Sequence, residues 1–547
     1  MTAQDDFPRR VPTATAMTSQ MSPTIVRPSR LLEVTTIAFF VALLCTGIAL
    51  YRDYGISWDE PSTRELGLMN VNHMIPDIRA LDSLRAAAHP GTNYERFGPL
   101  FEIVLVRAEQ LLQPPDSRSV FMMRHLLNFL TFFLGVVLFH RLCWRRFGSG
   151  IALLACVSLV ASPQLFSHAF YNTKDISFLT AFVGTMLALD YALNHPTWRS
   201  VLVHAMTTAV LVGTRVIGVF AMVLTAASFL ARRPTKRTWL QLVAYGGAVA
   251  LLLPLVWPVL RIDPFGVVKG AVLAAASNPY YLTNLFRGQA IPATRLPWDY
   301  VPTWILITTP MVLSALFVIG AGRVAVACVR SPRQSFLEQQ RDVIVLSWFF
   351  LPVLGAVVLR PILYDGWRHY FFVYPAFVYL AAIGMEWLVA IATRRFGAAR
   401  RRAVAAGLSG ALLLGLAPAV GFMVVNHPFE HLYFNRFAGR DMMEVKQRFE
   451  FDYWGLSYRK ALEYIVRSDT SRLIRVRVIN FPGVMNALML DDRDRRRLFF
   501  TASDADADYF VSNYRFHPQA YPYPNEVFQV RVGNASAASV IRLHPTR

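Results

Sequence analysis

Two adjacent acids follow the first long apolar run of this chain. The segment GISWDEPS at 55–62 carries Asp59 and Glu60 between a tryptophan and a proline. In a turn, such acids can point at one small site, where one takes a proton from a hydroxyl while the other orients a substrate or a cation. A helix N-terminus is the alternative, with Asp59 as the cap and Glu60 in the first turn. The residues alone leave both interpretations open.

A second acidic segment, SHAFYNTKDIS at 167–177, lies between two apolar runs. Asp175 could simply cap the helix that follows. However, Lys174 and Asp175 share fewer than ten residues with His168 and Asn172, and charges between two apolar helices need partners. This crowding favours a functional role for the segment.

Cations occupy two further turns between apolar runs. Arg215 lies in GTRVIG at 213–218, and Arg368 lies in RPILYDGWRHYFF at 360–372, beside Tyr364, Asp365 and His369. A guanidinium in such a turn suits an anion, because its donor fork matches phosphate oxygens. The alternative is snorkelling of the arginines to lipid headgroups within an aromatic belt. Snorkelling accounts well for Arg360 and less well for the Arg368–His369 pair.

Apolar runs must position these groups. The chain has 547 residues, is 54% hydrophobic and only 16% charged, and has a mean hydropathy of +0.36. Soluble proteins have about 25% charged residues, whereas runs of about 20 apolar residues suit a bilayer core. The predicted fold is mainly α and polytopic, with about eleven transmembrane helices. The predicted spans are 32–51, 120–141, 150–167, 176–193, 200–213, 216–231, 240–260, 302–322, 342–359, 370–392 and 403–425.

The net charge of +20 is distributed as a membrane topology requires. Arginines and lysines cluster in alternate loops, which the positive-inside rule assigns to the cytoplasm, so the charge does not indicate nucleic acid as a partner. The N-terminus 1–31 is then a disordered cytoplasmic segment, and 32–425 is the transmembrane domain. The groups described above all fall on the outer side.

Three larger segments are also predicted outside. The first outer loop, 52–119, contains an amphipathic helix at 98–113 that suits the membrane interface, and 261–301 forms a second loop rich in proline and aromatic residues. The tail 426–547 is predicted to form a small extracytoplasmic α/β domain. Its helix is expected at 456–467 and its strands at 473–479, 507–512 and 526–532.

Several motifs in order along the chain carry a family resemblance. They are WDEP, SPQLFSHAFYNTKD, TRVIG, WDYVPTWILITTP (298–310), YDGWRHYFFVYP (364–375), HPFEHLYFN (427–435) and DYWGLSYRKALEYI (452–465). The series resembles the GT-C superfamily of membrane glycosyltransferases over most of 33–465. Specifically, it is similar to bacterial family-39-like members, which are related to protein O-mannosyltransferases and to aminoarabinose transferases of lipid A.

The resemblance implies a GT-C-like fold and an inverting transfer. The donor is a polyprenyl-phosphate-linked sugar, and the acceptor is a hydroxyl of a lipid, a glycan or a protein. Transfer is expected at the periplasmic face of a bacterial inner membrane, in service of cell-envelope glycosylation. Asp59 matches the catalytic acid and would be the general base, while Glu60 and Asp175 match its neighbour and the second acidic motif. The donor-phosphate ligands would be Lys174, Arg215, Arg368, His369 and Tyr364.

Two points stay open at this stage. No cofactor is certain, although some members of the superfamily use a divalent cation, which Asp59, Glu60 and Asp175 would allow. The tail lacks the WWDYG-like motif of oligosaccharyltransferases, which DYWGLSY at 452–458 resembles only superficially. This weighs against transfer of a whole glycan to asparagine.

Two alternative functions come from other classes of protein. One is a transporter or flippase for a lipid-linked sugar, which would require polar residues at mid-membrane and repeat symmetry. The other is a structural protein of the cell wall.

Overall fold

The computed structural model describes residues 29–72, 98–232, 234–277 and 283–544. The predicted disordered segment 1–31 lies almost wholly outside these residues. Within them, eight helices are long and apolar enough to cross a membrane, which confirms a polytopic membrane protein. These helices are Arg30–Leu50, Ser117–Phe147, Thr173–Asn194, Lys236–Val256, Met311–Arg330, Gln340–Leu359, Arg368–Phe396 and Ala398–Val425.

The remaining predicted spans are present as shorter or broken helices. Trp198–Thr214 has 17 residues, and Val216–Leu230 is also a short apolar helix. At about 1.5 Å per residue both are shorter than a ~30 Å hydrocarbon core. Ser149–Val160 and Pro163–Tyr171 meet at a bend of 69°, so the described residues contain nine candidate spans if this pair counts as one. The predicted number of eleven is therefore not reached by helix length alone.

A proline breaks one predicted span. The run 302–322 was expected to be one helix, but it forms Tyr300–Thr308 and Met311–Arg330, with Thr309 in an extended conformation at ψ 140°. Pro310 follows directly, and proline disfavours a helical conformation in the residue before it and lacks an N–H. The prediction of a continuous helix here is wrong for that reason.

Glycines bring two spans into close contact. A Cβ built on Gly320 would collide with the Leu380 carbonyl oxygen, and one built on Gly384 would collide with that of Leu316. Small residues let helix backbones approach in this way, and dispersion contacts then stabilise the pair. The helices Met311–Arg330 and Tyr374–Phe396 therefore form a tight pair.

Replacing Gly320 by leucine is expected to separate this pair and destabilise the protein by about 1–3 kcal/mol, because the added side chain overpacks a filled interface. Gly322→Leu is the matched control, since a Cβ at Gly322 meets nothing within 4 Å. Thermal unfolding of the detergent-solubilised variants measures the difference. Equal melting temperatures for the two variants would contradict the tight pairing.

Short helices and a hairpin surround the bundle. Leu100–Leu112 confirms the predicted helix at 98–113, while its position at the membrane interface stays a prediction. In the predicted loop 261–301, strands β1 (Thr283–Phe286) and β2 (Gln289–Pro292) form an antiparallel hairpin. Its turn has φ of 54° at Arg287 and 82° at Gly288, as two-residue hairpin turns require. Further helices are Glu60–Asn72, Pro264–Ser277, Pro332–Glu338, Met442–Arg448, Phe481–Met485 and Asp492–Arg495.

The tail folds as a five-stranded sheet with a helix against it. The helix Ser457–Ser468 and the strands β3 (Ile474–Val478), β5 (Tyr509–Ser512) and β6 (Glu526–Val532) lie where the sequence predicted them. Two strands were not predicted, β4 (Leu498–Phe500) and β7 (Ala535–Arg542). The order is β4-β3-β5-β7-β6, with β3 parallel to both neighbours and β7 antiparallel to both of its own.

Small side chains explain why β7 was missed. Its sequence, ASAASVIR, lacks the alternation of large apolar and polar residues that marks a half-buried strand. Seven of its eight residues are nevertheless buried, because β7 lies inside the sheet and the helix Ser457–Ser468 packs against it. This interior strand of the tail is thus defined by its neighbours rather than by its own pattern.

Candidate active site

Four helix ends meet at one end of the bundle. Asp59 immediately precedes the helix Glu60–Asn72, and Asp175 lies in the first turn of Thr173–Asn194. Arg215 is the C-terminal cap of Trp198–Thr214, and Arg368 begins the turn that leads into Tyr374–Phe396. The sequence assigned all four residues to one side of the membrane, and the structure brings their side chains into contact.

Arg368 lies at the centre of the cluster. Its Nη1 donates to Asp59 Oδ2 at 2.9 Å and to Asp175 Oδ2 at 3.3 Å, and its Nη2 donates to Asp365 Oδ2 at 3.1 Å. The side chain is 0% exposed and lies over the Trp454 ring at 4.7 Å. A planar guanidinium can serve several carboxylates at once. The snorkelling interpretation is therefore wrong for Arg368, whereas Arg360 is exposed and remains compatible with it.

The three carboxylates differ in accessibility. The Asp59 side chain is 27% exposed, while those of Asp175 and Asp365 are 1% and 3% exposed. All three carboxylates bind the same buried arginine. Arg368 therefore connects Asp59, which a ligand can reach, to two carboxylates that a ligand cannot reach. Among the three, Asp59 is the group placed to exchange a proton with a substrate.

Asn172, rather than Asp175, caps the helix Thr173–Asn194. The Asp175 N–H donates to Asn172 Oδ1 at 3.1 Å, and Asn172 Nδ2 donates to Asp175 Oδ2 at 2.9 Å. The other carboxylate oxygen of Asp175 accepts from Arg215 Nη1. The cap interpretation of Asp175 is wrong, because its carboxylate lies between Arg215 and Arg368.

Glu60 does not share the site of Asp59. Its Oε2 accepts from the Ser57 N–H at 2.7 Å, and its Oε1 is hydrogen-bonded to His125 Nε2 at 2.9 Å. The side chain is 1% exposed. The expectation that both acids point at one small site is wrong, because Glu60 is the first residue of its helix and turns into the bundle. There it ties the WDE turn to the helix Ser117–Phe147.

Lys174, Arg215, Tyr364 and His369 surround the exposed edge of the cluster, and all four are partly accessible. Lys174 lies close enough to interact electrostatically with Asp59 and Arg215. The rings of Tyr364 and His369 meet edge to face at 4.9 Å. Burial raises the pKa of Tyr364 to about 12, so its hydroxyl keeps its proton and can donate a hydrogen bond. The structure thus brings together every predicted donor-phosphate ligand.

The tail contributes residues that sequence reasoning did not single out. Tyr453 Oη and Trp454 Nε1 each lie 3.2 Å from His168 Nε2. His168 therefore joins the second acidic motif to the DYWGLSY segment. Asp452 organises that segment by accepting from the Ser457 N–H at 3.0 Å and from His431 Nε2 at 3.1 Å. Despite burial, these bonds hold the pKa of Asp452 below its ordinary value.

A second buried acid lies beneath the cluster. Burial raises the pKa of Glu450 to about 8, although nearby Arg515 opposes the shift. Burial thus favours the neutral form of Glu450, whereas Asp365 beside it pairs with two arginines. The sequence offered one signal for this region, the position of DYWGLSY in the series of motifs.

The acids do not fit a divalent cation. Asp59 and Asp175 face Arg368, while Glu60 faces His125. In the ranges that the structure describes, no group of three histidine, cysteine, aspartate or glutamate side chains is placed to hold a metal ion. The guanidiniums of Arg215 and Arg368 already neutralise the carboxylates that a cation would require.

The structure resembles solved membrane proteins. No protein-family model matches the chain, and neither does any curated protein. The crystal structure of ArnT from Cupriavidus metallidurans bound to undecaprenyl phosphate has a TM-score of 0.49 and 14% identity, covering 95% of this chain and 99% of that one. An oligosaccharyltransferase from Archaeoglobus fulgidus in the apo form has a TM-score of 0.46 and 10% identity, covering 88% and 66%. At these identities the likeness concerns the fold alone.

Proposed function

We propose that this protein is a membrane glycosyltransferase. It transfers a sugar from a polyprenyl-phosphate-linked donor to an acceptor hydroxyl, with inversion, at the periplasmic face of a bacterial inner membrane. The observation that carries the proposal is the partly exposed Asp59, held by the buried Arg368 and bordered by Lys174 and Arg215. The donor class and the side of the membrane follow from the resemblance of the motifs and from the distribution of basic loops.

In the proposed reaction, a general base acts on the acceptor side. The Asp59 carboxylate takes the proton of the acceptor hydroxyl, and the hydroxyl oxygen attacks the anomeric carbon of the donor sugar. The bond from that carbon to the phosphate oxygen breaks, and the bonding electrons leave with the phosphate. Attack opposite the leaving group inverts the anomeric centre. The phosphate is a good leaving group, so no general acid is needed on that side.

Cations stabilise the other side. Negative charge grows on the lipid phosphate as the bond breaks, and preorganised positive groups are most effective where charge develops. Lys174 and Arg215 supply that charge in this proposal, and Tyr364 and His369 add hydrogen bonds.

Arg368 takes a different role from the one that the sequence suggested. Both of its Nη atoms already donate to carboxylates, and the side chain is 0% exposed. We therefore assign it to the positioning of Asp59 and Asp175 rather than to the donor phosphate. Glu60 likewise acts through the WDE turn that it anchors to His125.

The transporter alternative is less well supported. A carrier would need its charged site near the bilayer midplane, between two repeats. Here the cluster of acids and arginines lies at the ends of helices, where the chain leaves the bundle. This position favours chemistry at the membrane surface.

A panel of labelled donors tests the proposal. Purified protein in detergent, mixed with host membrane extract, is expected to move label from one polyprenyl-phosphate sugar to an acceptor, and from no nucleotide sugar. Asp59→Asn is expected to lose this transfer. Asp299→Asn is its matched control and should retain transfer, because Asp299 also pairs with an arginine and its side chain is 18% exposed. Label movement from nucleotide sugars alone would overturn the proposal. Flipping of a lipid-linked sugar in liposomes, without transfer, would establish the transporter instead.

A further inference from the structure

Arg515 lies in a strained loop of the tail, directly after strand β5. Its neighbours Tyr514 and Phe516 have φ of 61° and 65°, which is uncommon for residues other than glycine. The loop is held by Asn513, whose Nδ2 donates to the Asp452 carbonyl at 2.7 Å. Such backbone persists only where its surroundings determine it, and it concentrates at functional sites.

A chain of buried ion pairs connects Arg515 to the candidate base. Arg515 Nη2 donates to Asp365 Oδ1 at 2.6 Å, and the other oxygen of Asp365 accepts from Arg368 at 3.1 Å. Arg368 in turn donates to Asp59 at 2.9 Å. Arg515 and Asp365 are each 3% exposed, and Asp365 also has a left-handed φ of 57°. Asp365 and both sequence neighbours of Arg515 thus adopt a costly backbone conformation.

A second contact reaches the same base by another route. The Arg515 guanidinium lies 4.6 Å from the centre of the Trp58 ring. The Trp58 N–H donates to the Trp454 carbonyl of the tail at 3.1 Å. Trp58 immediately precedes Asp59, so both contacts of the tail restrain the backbone that carries the carboxylate.

We propose that Arg515 is a positioning residue of the active site, and that the C-terminal unit sets the geometry of Asp59 through it. The proposal rests on the function proposed above. Arg515 acts on the side chain of Asp59 through Asp365 and Arg368. It acts on the backbone of Asp59 through Trp58, the residue before it. A displacement of about 1 Å of a reacting group can cost about 100-fold in rate, which sets the scale of the effect.

Kinetics provide the first test. Arg515→Ala is expected to lower kcat by about 100-fold, with little change in the KM of donor or acceptor, because the base moves while the substrate contacts remain. Arg477→Ala is the matched control. Arg477 lies in the same unit, pairs with Asp504 and lies 5.9 Å from the Phe510 ring, but these contacts are within the tail. A rise in KM at constant kcat would overturn the positioning role.

Hydrogen exchange provides a test that does not depend on activity. A peptide spanning residues 55–62 is expected to exchange faster in Arg515→Ala than in the wild type, and at the wild-type rate in Arg477→Ala. If this acceleration occurs but the wild type transfers no sugar, Arg515 positions the turn and the proposed function fails. Unchanged exchange overturns the proposal, whatever the wild type transfers. If Arg515→Ala does not fold, Arg515→Lys replaces it in both measurements. Lysine keeps the positive charge, but its ammonium cannot reproduce the planar stack on Trp58, so the same two effects are expected.

Discussion

Replacement of Asp59 by asparagine is expected to lower kcat by about 10²–10⁴-fold, the range that a general base contributes. The amide has nearly the same shape and its oxygen can still accept from Arg368, so the fold should survive. It cannot take a proton from the acceptor hydroxyl. Initial rates of sugar transfer at saturating donor, compared with membrane expression and thermal stability, measure the effect.

Two controls separate the loss of a general base from disruption of the ion pairs around Arg368. Asp299→Asn removes a carboxylate from another arginine pair and should retain full transfer. Asp175→Asn removes an acid from the same arginine, but from a position that is only 1% exposed. Its effect should appear partly as lost stability. If Asp59→Asn turned over at near the wild-type rate, the base would have to be another group.

The sequence predicted the members of this cluster better than their roles. Asp59, Asp175, Arg215 and Arg368 were assigned to one side because each lies in a turn between apolar runs of membrane-spanning length. Alternating basic loops then fixed which turns share a side. The predicted topology put the four groups on one side, and the helix packing of the structure brings their side chains into contact.

The sequence did not predict which partner each of these side chains contacts. Neighbouring residues at a helix start point about 100° apart, so Asp59 can face Arg368 while Glu60 faces His125. Sequence spacing does not say which of the two faces the bundle. Arg515 lies 150 residues from its partner Asp365 along the chain. No local pattern encodes such a contact. The break before Pro310 did have a local signal, the proline itself, but the prediction of one span at 302–322 overlooked it.

The arrangement also explains why a buried arginine is needed here. Three carboxylates close together repel one another, and burial of any unpaired charge is costly. Arg368 compensates all three, and Arg215 and Arg515 each compensate one more oxygen, on Asp175 and Asp365. The exposed carboxylate of Asp59 is therefore paired and held in one orientation.

Replacement of Arg368 by alanine is the second change with a large expected effect. It would leave Asp59, Asp175 and Asp365 without their common partner, and removal of one member of a buried ion pair typically costs about 3–5 kcal/mol. We expect a marked fall in melting temperature together with loss of transfer. Arg287→Ala is the stability control, since Arg287 pairs with Asp299 but is half exposed, and such surface pairs contribute little.

Arg368→Lys separates positioning from phosphate binding. Lysine keeps the positive charge but cannot reproduce the fork that serves three carboxylates. A positioning role predicts a lower kcat with an unchanged donor KM, because the base is misplaced while Lys174 and Arg215 still face the phosphate. Arg215→Lys, by contrast, should raise the donor KM more than the acceptor KM. If Arg368→Lys raised the donor KM at constant kcat, Arg368 would be a phosphate ligand, as the motif resemblance first implied.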